Sequence, residues 1–128
     1  MGSLSQFAAV GVGAAVGAWI RWGLAALLNA RLPIWPLGTL ASNLIGGYLV
    51  GVAVAFFSAR PELPAEWRLF AITGFLGGLT TFSAFSAEVT LLLGRGDVAA
   101  GVGLAAIHLF GSLLLTAVGM ASFRLLFA

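Results

Sequence analysis

The chain has 128 residues, 61% of them hydrophobic and only 8% charged, with a mean hydropathy of +1.10. Those totals exclude an ordinary soluble globule and point to a single integral membrane domain covering residues 1–128. The net charge is +2 with no run of basic residues, which argues against a nucleic-acid partner, and no cysteine is available for disulfide or thiol chemistry.

The predicted elements are four apolar segments, so the expected fold is an all-α membrane protein with four transmembrane helices. The N-terminus lacks the basic start and cleavage site of a signal peptide, so Leu4 onward reads as the first membrane helix. The segments run from about Leu4 to Leu28, Trp35 to Phe57, Ala65 to Leu93 and Val98 to Phe127. Each is long enough to cross a hydrocarbon core of about 30 Å. Alternating ten-residue strands, the mark of a membrane β-barrel, are absent.

Segment one carries Gly13, Gly17 and Arg21 on one face, one turn apart. The two glycines form a small-residue face that lets another helix approach closely. Arg21, between Trp19 and Trp22, is either a side chain snorkelling to an aromatic belt or a fixed cation that draws anions into a vestibule. Segment two places Thr39, Asn43, Gly47 and Gly51 on one face. Asn43 lies near the middle of the helix and must find polar partners there. It serves either as a helix–helix hydrogen bond or as an amide donor to a dehydrated anion.

Segment three holds the stretch Gly74 to Glu88, GFLGGLTTFSAFSAE. Gly74, Gly77 and Gly78 each lower helix propensity by about 1 kcal/mol relative to alanine. Thr80 and Thr81 offer the backbone competing hydrogen bonds. A helix break is therefore expected between Gly74 and Thr81. Carbonyls freed by such a break at membrane depth can hold a cation. Beyond it, Phe82 and Phe85 share a face, and their ring edges carry positive partial charge that attracts a small anion. The alternative is that the two rings pack or face lipid. Ser83, Ser86 and Thr90 continue the polar content, together with Glu88. Glu88 is either a functional intramembrane acid or a hydrated interfacial one near Arg95. Segment four aligns His108, Ser112 and Thr116 as a polar stripe, either bonded back to its own backbone or supplying donors along a path. His108 has no second ligand type at metal-binding spacing, so a zinc site is not expected.

Four spans put Arg60, Arg68 and Arg124 on one side and Arg31 and Arg95 on the other. Orientation follows the bias of such charges, and three against two is almost none. The expectation is insertion in both orientations and an antiparallel, dual-topology homodimer in the lipid bilayer. No nucleophile–base pair or metal cluster is visible, so an enzyme is not expected. One rival is a proton-coupled exporter of the small multidrug type using Glu88; another is a membrane subunit with no transport role.

These residues resemble the Fluc (CrcB-type) fluoride channels. The resemblance covers essentially the whole chain, through Gly17-Ala18-Trp19-Ile20-Arg21-Trp22, then Gly38-Thr39-Leu40 with Asn43 and Gly46-Gly47, and above all Gly77-Gly78-Leu79-Thr80-Thr81-Phe82-Ser83-Ala84-Phe85. It implies an antiparallel homodimer with two fluoride pores and passive fluoride export across the cell membrane, the inner membrane in a double-membraned bacterium. It implies a structural sodium ion, not transported, held at the dimer centre by main-chain carbonyls of Gly77 and Thr80. It implies that Phe82 and Phe85 line the ion's path and that Asn43 is the pore amide. Ser83, Ser86, Glu88 and Thr116 match its polar track, to which Ser112 is added from the stripe, and Arg21 matches its vestibule arginine. Two departures stand out: Ala84 replaces an expected threonine, and His108 occupies part of the fourth-helix face where a tyrosine is expected.

Overall fold

The structure is a computed structural model and describes residues 2–127. It is all-helical, without a strand among the described residues, and four of its helical spans are long and apolar enough to cross a membrane. They are Leu4–Leu28, Leu37–Ala59, Ala65–Gly94 and Val98–Phe127. The first begins at a capping box in which Ser3 and Gln6 satisfy each other's backbone N–H groups. The second starts two residues later than the sequence suggests, at Leu37. Pro36 is its N-cap, and a residue before proline, here Trp35, is pushed out of the helical region. Asn29 Oδ1 accepts from the Gly38 N–H at 2.7 Å and ties the first loop to this start.

Glycine decides how the spans meet. The first helix lies on the third span, backbone against backbone. A methyl group at Gly13 would strike the Phe70 carbonyl and one at Gly17 the Phe75 carbonyl. From the other side, Gly74 faces the Val10 carbonyl and Gly78 that of Ala14. The second and fourth helices interlock in the same manner, with Gly51 on the Thr116 carbonyl and Gly119 on the Tyr48 carbonyl. Lipid tails are as apolar as leucine, so association inside a bilayer rests on such close packing rather than on hydrophobic transfer. The small-residue face read from Gly13 and Gly17 is thus one half of a reciprocal contact, and Gly74 and Gly78 are the other half.

The third span is the irregular one. Residues Leu69–Leu76 are π-helical, a wider winding found mostly in short pieces and often at functional positions. The sequence did not announce this. The stretch coincides with the backbone-on-backbone contact to the first helix. Helical geometry then stops at Leu79. Thr80 (φ −90°, ψ 157°) and Thr81 (φ −151°, ψ 117°) are extended, and a helix resumes over Phe82–Gly94. Thr81 caps the resumed helix, its Oγ1 accepting from the Ala84 N–H at 3.1 Å. Leu79, Leu92 and Leu104 are the most deeply buried large side chains and hold the third span to its neighbours.

Candidate functional site

The two extended threonines are fastened by a side chain from another helix. Asn43 Nδ2 donates to the Thr81 carbonyl at 3.1 Å, and the Thr81 N–H donates to Asn43 Oδ1 at 2.8 Å. One amide thus satisfies both backbone groups of a residue that has left the helix, which a buried non-helical residue requires. The second Nδ2 hydrogen meets His108 Nδ1 at 3.1 Å. His108 is almost fully buried, at 4% exposure, and its ring lies against Phe85 with centroids 4.6 Å apart. Phe85 in turn meets Phe82 edge-on, with centroids 5.5 Å apart. Three spans therefore converge through Asn43, Thr81 and His108, and the phenylalanine pair stands on that support.

Beside it opens a cavity of about 460 Å³, lined among others by Asn43, Phe82, Phe85, His108, Ser112 and Thr116. Gly77 and Thr80 also lie on its wall. The break frees both of their carbonyls from the donors a continuous helix would supply. The Thr81 N–H, four residues after Gly77, is taken by Asn43, and the Ala84 N–H, four residues after Thr80, is taken by Thr81 Oγ1. Between them, the Gly78 carbonyl accepts from Arg21 Nε at 2.9 Å. Arg21 is half-buried and so neither snorkels freely nor stands as an unbound cation; it braces the break from the first helix.

Several predicted residues lie off this cavity. Ser83 and Ser86 are exposed on the same face as Phe82, which is itself 78% exposed. Glu88 sits two turns beyond Phe82, half-buried, with Oε2 accepting from the Thr39 hydroxyl at 2.6 Å. Arg95 does not reach it and lies instead 3.8 Å from Asp97. The polar stripe of the fourth helix divides by role. Thr116 spends its single hydroxyl hydrogen on the carbonyls of Gly47 and Ser112, both at 2.9 Å, and keeps only acceptor capacity toward the cavity. His108 is the residue whose importance the sequence concealed. Its place on the stripe was visible, but its pairing with Asn43 joins helices 65 positions apart.

The family described as "CrcB-like protein, Camphor Resistance (CrcB)" matches residues 8–120. The chain belongs to the CrcB family. A protein named "Fluoride-specific ion channel FluC" from Cupriavidus necator is 64% identical over 127 residues, covering 98% of this chain and 99% of its own. Proteins of the same name from Cupriavidus metallidurans and Pseudomonas putida are 62% and 58% identical over 120 residues. Each alignment covers 94% of this chain, and 95% and 94% of those proteins respectively. This is a family of ion channels and not of enzymes, and four apolar spans fit a multi-pass protein of the cell membrane.

Proposed function

We propose that the chain forms a fluoride-selective channel that exports fluoride passively, working as an antiparallel, dual-topology homodimer in a bacterial inner membrane. The observation that carries this reading is the edge-on pair of Phe82 and Phe85 at the wall of a cavity braced by Asn43 and His108. The names of the relatives supply the ion.

The chemical problem is dehydration. Fluoride holds water tightly, so a selective path must replace its shell with close donors, each weak enough to let the ion move on. Ring edges at Phe82 and Phe85 present positive partial charge without a full cation. Hydroxyls of Ser83, Ser86 and Ser112 add donors, Thr116 offers an acceptor oxygen, and Asn43 holds the wall. Glu88 with Thr39 continues the track beyond the phenylalanines, and Arg21 braces the break from the first helix through the Gly78 carbonyl. A narrow, rigid path excludes the larger chloride.

The single chain leaves this path open on one side. Phe82, Ser83 and Ser86 are exposed, and a second copy laid against that face would enclose them. The same contact would bring the freed carbonyls of Gly77 and Thr80 toward their counterparts. A structural sodium ion fits such a donor set, because a hard cation takes oxygen ligands and these carbonyls have lost their helical donors. When bound, it supplies positive charge that offsets converging carbonyl dipoles. Against the Glu88 exporter stands the Thr39 hydroxyl bonded to Glu88 Oε2, although Oε1 is buried without a partner among the described residues.

The test is efflux from liposomes holding the purified protein and loaded with fluoride or chloride, followed with ion-selective electrodes. Rapid fluoride release with chloride retained, and no proton gradient applied, is the expected result. Well-folded protein that releases no fluoride would overturn the reading. Reporters active on only one side of the membrane, fused to either terminus, are expected to show both orientations; a single orientation removes the antiparallel dimer.

A further inference from the structure

The hydrogen bonds around Asn43 determine where the proton of His108 sits. An amide side chain can be turned over without changing its shape, but Thr81 forbids it here. Its N–H requires Oδ1 and its carbonyl requires Nδ2. The amide is therefore oriented by two backbone groups at once. Its remaining hydrogen, on Nδ2, faces His108 Nδ1 at 3.1 Å, and Nδ1 must accept it. A protonated imidazole would set N–H against N–H at that contact. His108 is thus neutral, with its hydrogen on Nε2. That Nε2–H is buried and has no hydrogen-bond partner among the described residues. A buried donor left unmet costs free energy, and native structures keep few without a reason.

Apart from the Ser112 hydroxyl, the other side-chain donors around the cavity are committed. Both Asn43 amide hydrogens are used, by Thr81 and His108. The Thr116 hydrogen goes to two carbonyls, and the Thr80 hydrogen goes to the Leu76 carbonyl at 2.8 Å. The imidazole is stacked against Phe85 and stands among the residues lining the cavity, with its Nε2 closed off from solvent, and Ser112 follows one turn along the same face. Building on the fluoride-pore reading, we propose that the Nε2–H of His108 is the side-chain donor that takes over from water as fluoride passes Phe85, and that Asn43 acts as a positioning residue that fixes its tautomer. The sequence of bonds runs from the Thr81 backbone to Asn43, from Asn43 to Nδ1, and from Nε2–H to the ion. Fluoride, as a strong acceptor without its shell, gains most from one rigid N–H.

His108 is the single histidine of the chain, so uniform 15N labelling of histidine yields one imidazole that needs no assignment. In the wild-type protein the spectrum is expected to show the neutral form protonated at Nε2. Added fluoride is expected to move the Nε2 nitrogen and its proton, and equal chloride is expected to leave them in place. The Nδ1–H tautomer, or no response to fluoride in protein that conducts it, would overturn the proposal. Two variants divide donor from support. His108→Gln keeps an amide N–H near the Nε2 position and loses the acceptor near Nδ1. His108→Asn keeps an acceptor for Asn43 and loses the donor. Fluoride release is expected to fall about tenfold to a hundredfold in His108→Asn and to be largely kept in His108→Gln. The reverse order would make His108 a support for Asn43 and nothing more. Should neither variant assemble, the wild-type titration decides alone. Wild-type protein that passes no fluoride would instead remove the pore reading on which the proposal stands.

Discussion

Two contacts made by the third span solve the same problem in opposite ways. Where it crosses the first helix, Gly74 and Gly78 meet Gly13 and Gly17, and the two backbones touch with no side chain between them. Where it meets the second and fourth helices, it has left helical geometry, and Asn43 and His108 fill the gap with hydrogen bonds. The first contact is closed and apolar and tolerates no added atom. The second is polar, borders a cavity and contains a donor without a partner. A membrane protein keeps irregular backbone only where protein or a polar path satisfies it. The glycine contact is the fixed floor, and the polar contact is where an ion can be handled.

That contrast can be broken from the floor side first. Gly78→Leu would drive a side chain into the Ala14 carbonyl. It is expected to cost more than about 3 kcal/mol and to leave no monodisperse protein in detergent on a sizing column. A well-behaved Gly78→Leu protein would mean that the first helix can slide away and that the contact is not rigid.

On the polar side, Asn43→Asp removes both Nδ2 hydrogens while keeping the acceptor for the Thr81 N–H. Fluoride release is expected to fall below detection in liposomes while the oligomer survives on the sizing column. Retained flux would separate the brace from conduction. Phe82→Ile is expected to come next, with conduction cut by about tenfold or more and stability unchanged, since the ring is largely exposed in the single chain. Unchanged flux would show that ring edges are dispensable. Thr116→Val should have the smallest effect, about 1 kcal/mol of stability from two lost bonds to carbonyls, with fluoride selectivity kept. Thermal unfolding in detergent, read beside the flux assay, tests it. A loss of selectivity would assign Thr116 a direct contact with the ion.

The span pattern was legible in the sequence because length and hydropathy alone limit what can cross a bilayer. The bounds of the first and fourth helices were read as they stand, and the second starts two residues later because of Pro36 and runs two residues further, to Ala59. The sequence also marked the irregular point, since glycines and threonines weaken the same few turns, and the extended residues are Thr80 and Thr81. It did not mark the π-helical turns of Leu69–Leu76, which contain no breaker but Gly74. Nor did it show that Arg21 would bond to the Gly78 carbonyl, or that Thr39 rather than Arg95 would take Glu88.

What the sequence by itself determined was an all-helical chain of four spans, the position of the weak turns, and the faces on which Asn43, the phenylalanines and the fourth-helix stripe lie. Periodicity fixes a face within one helix and says nothing about which helix that face will meet. Only the tertiary structure decided that Asn43 turns one edge to Thr81 and the other to His108, because that choice depends on backbones brought together by glycines far apart in the chain. The tautomer of the single histidine, and with it the position of its unmet N–H, follows from that meeting.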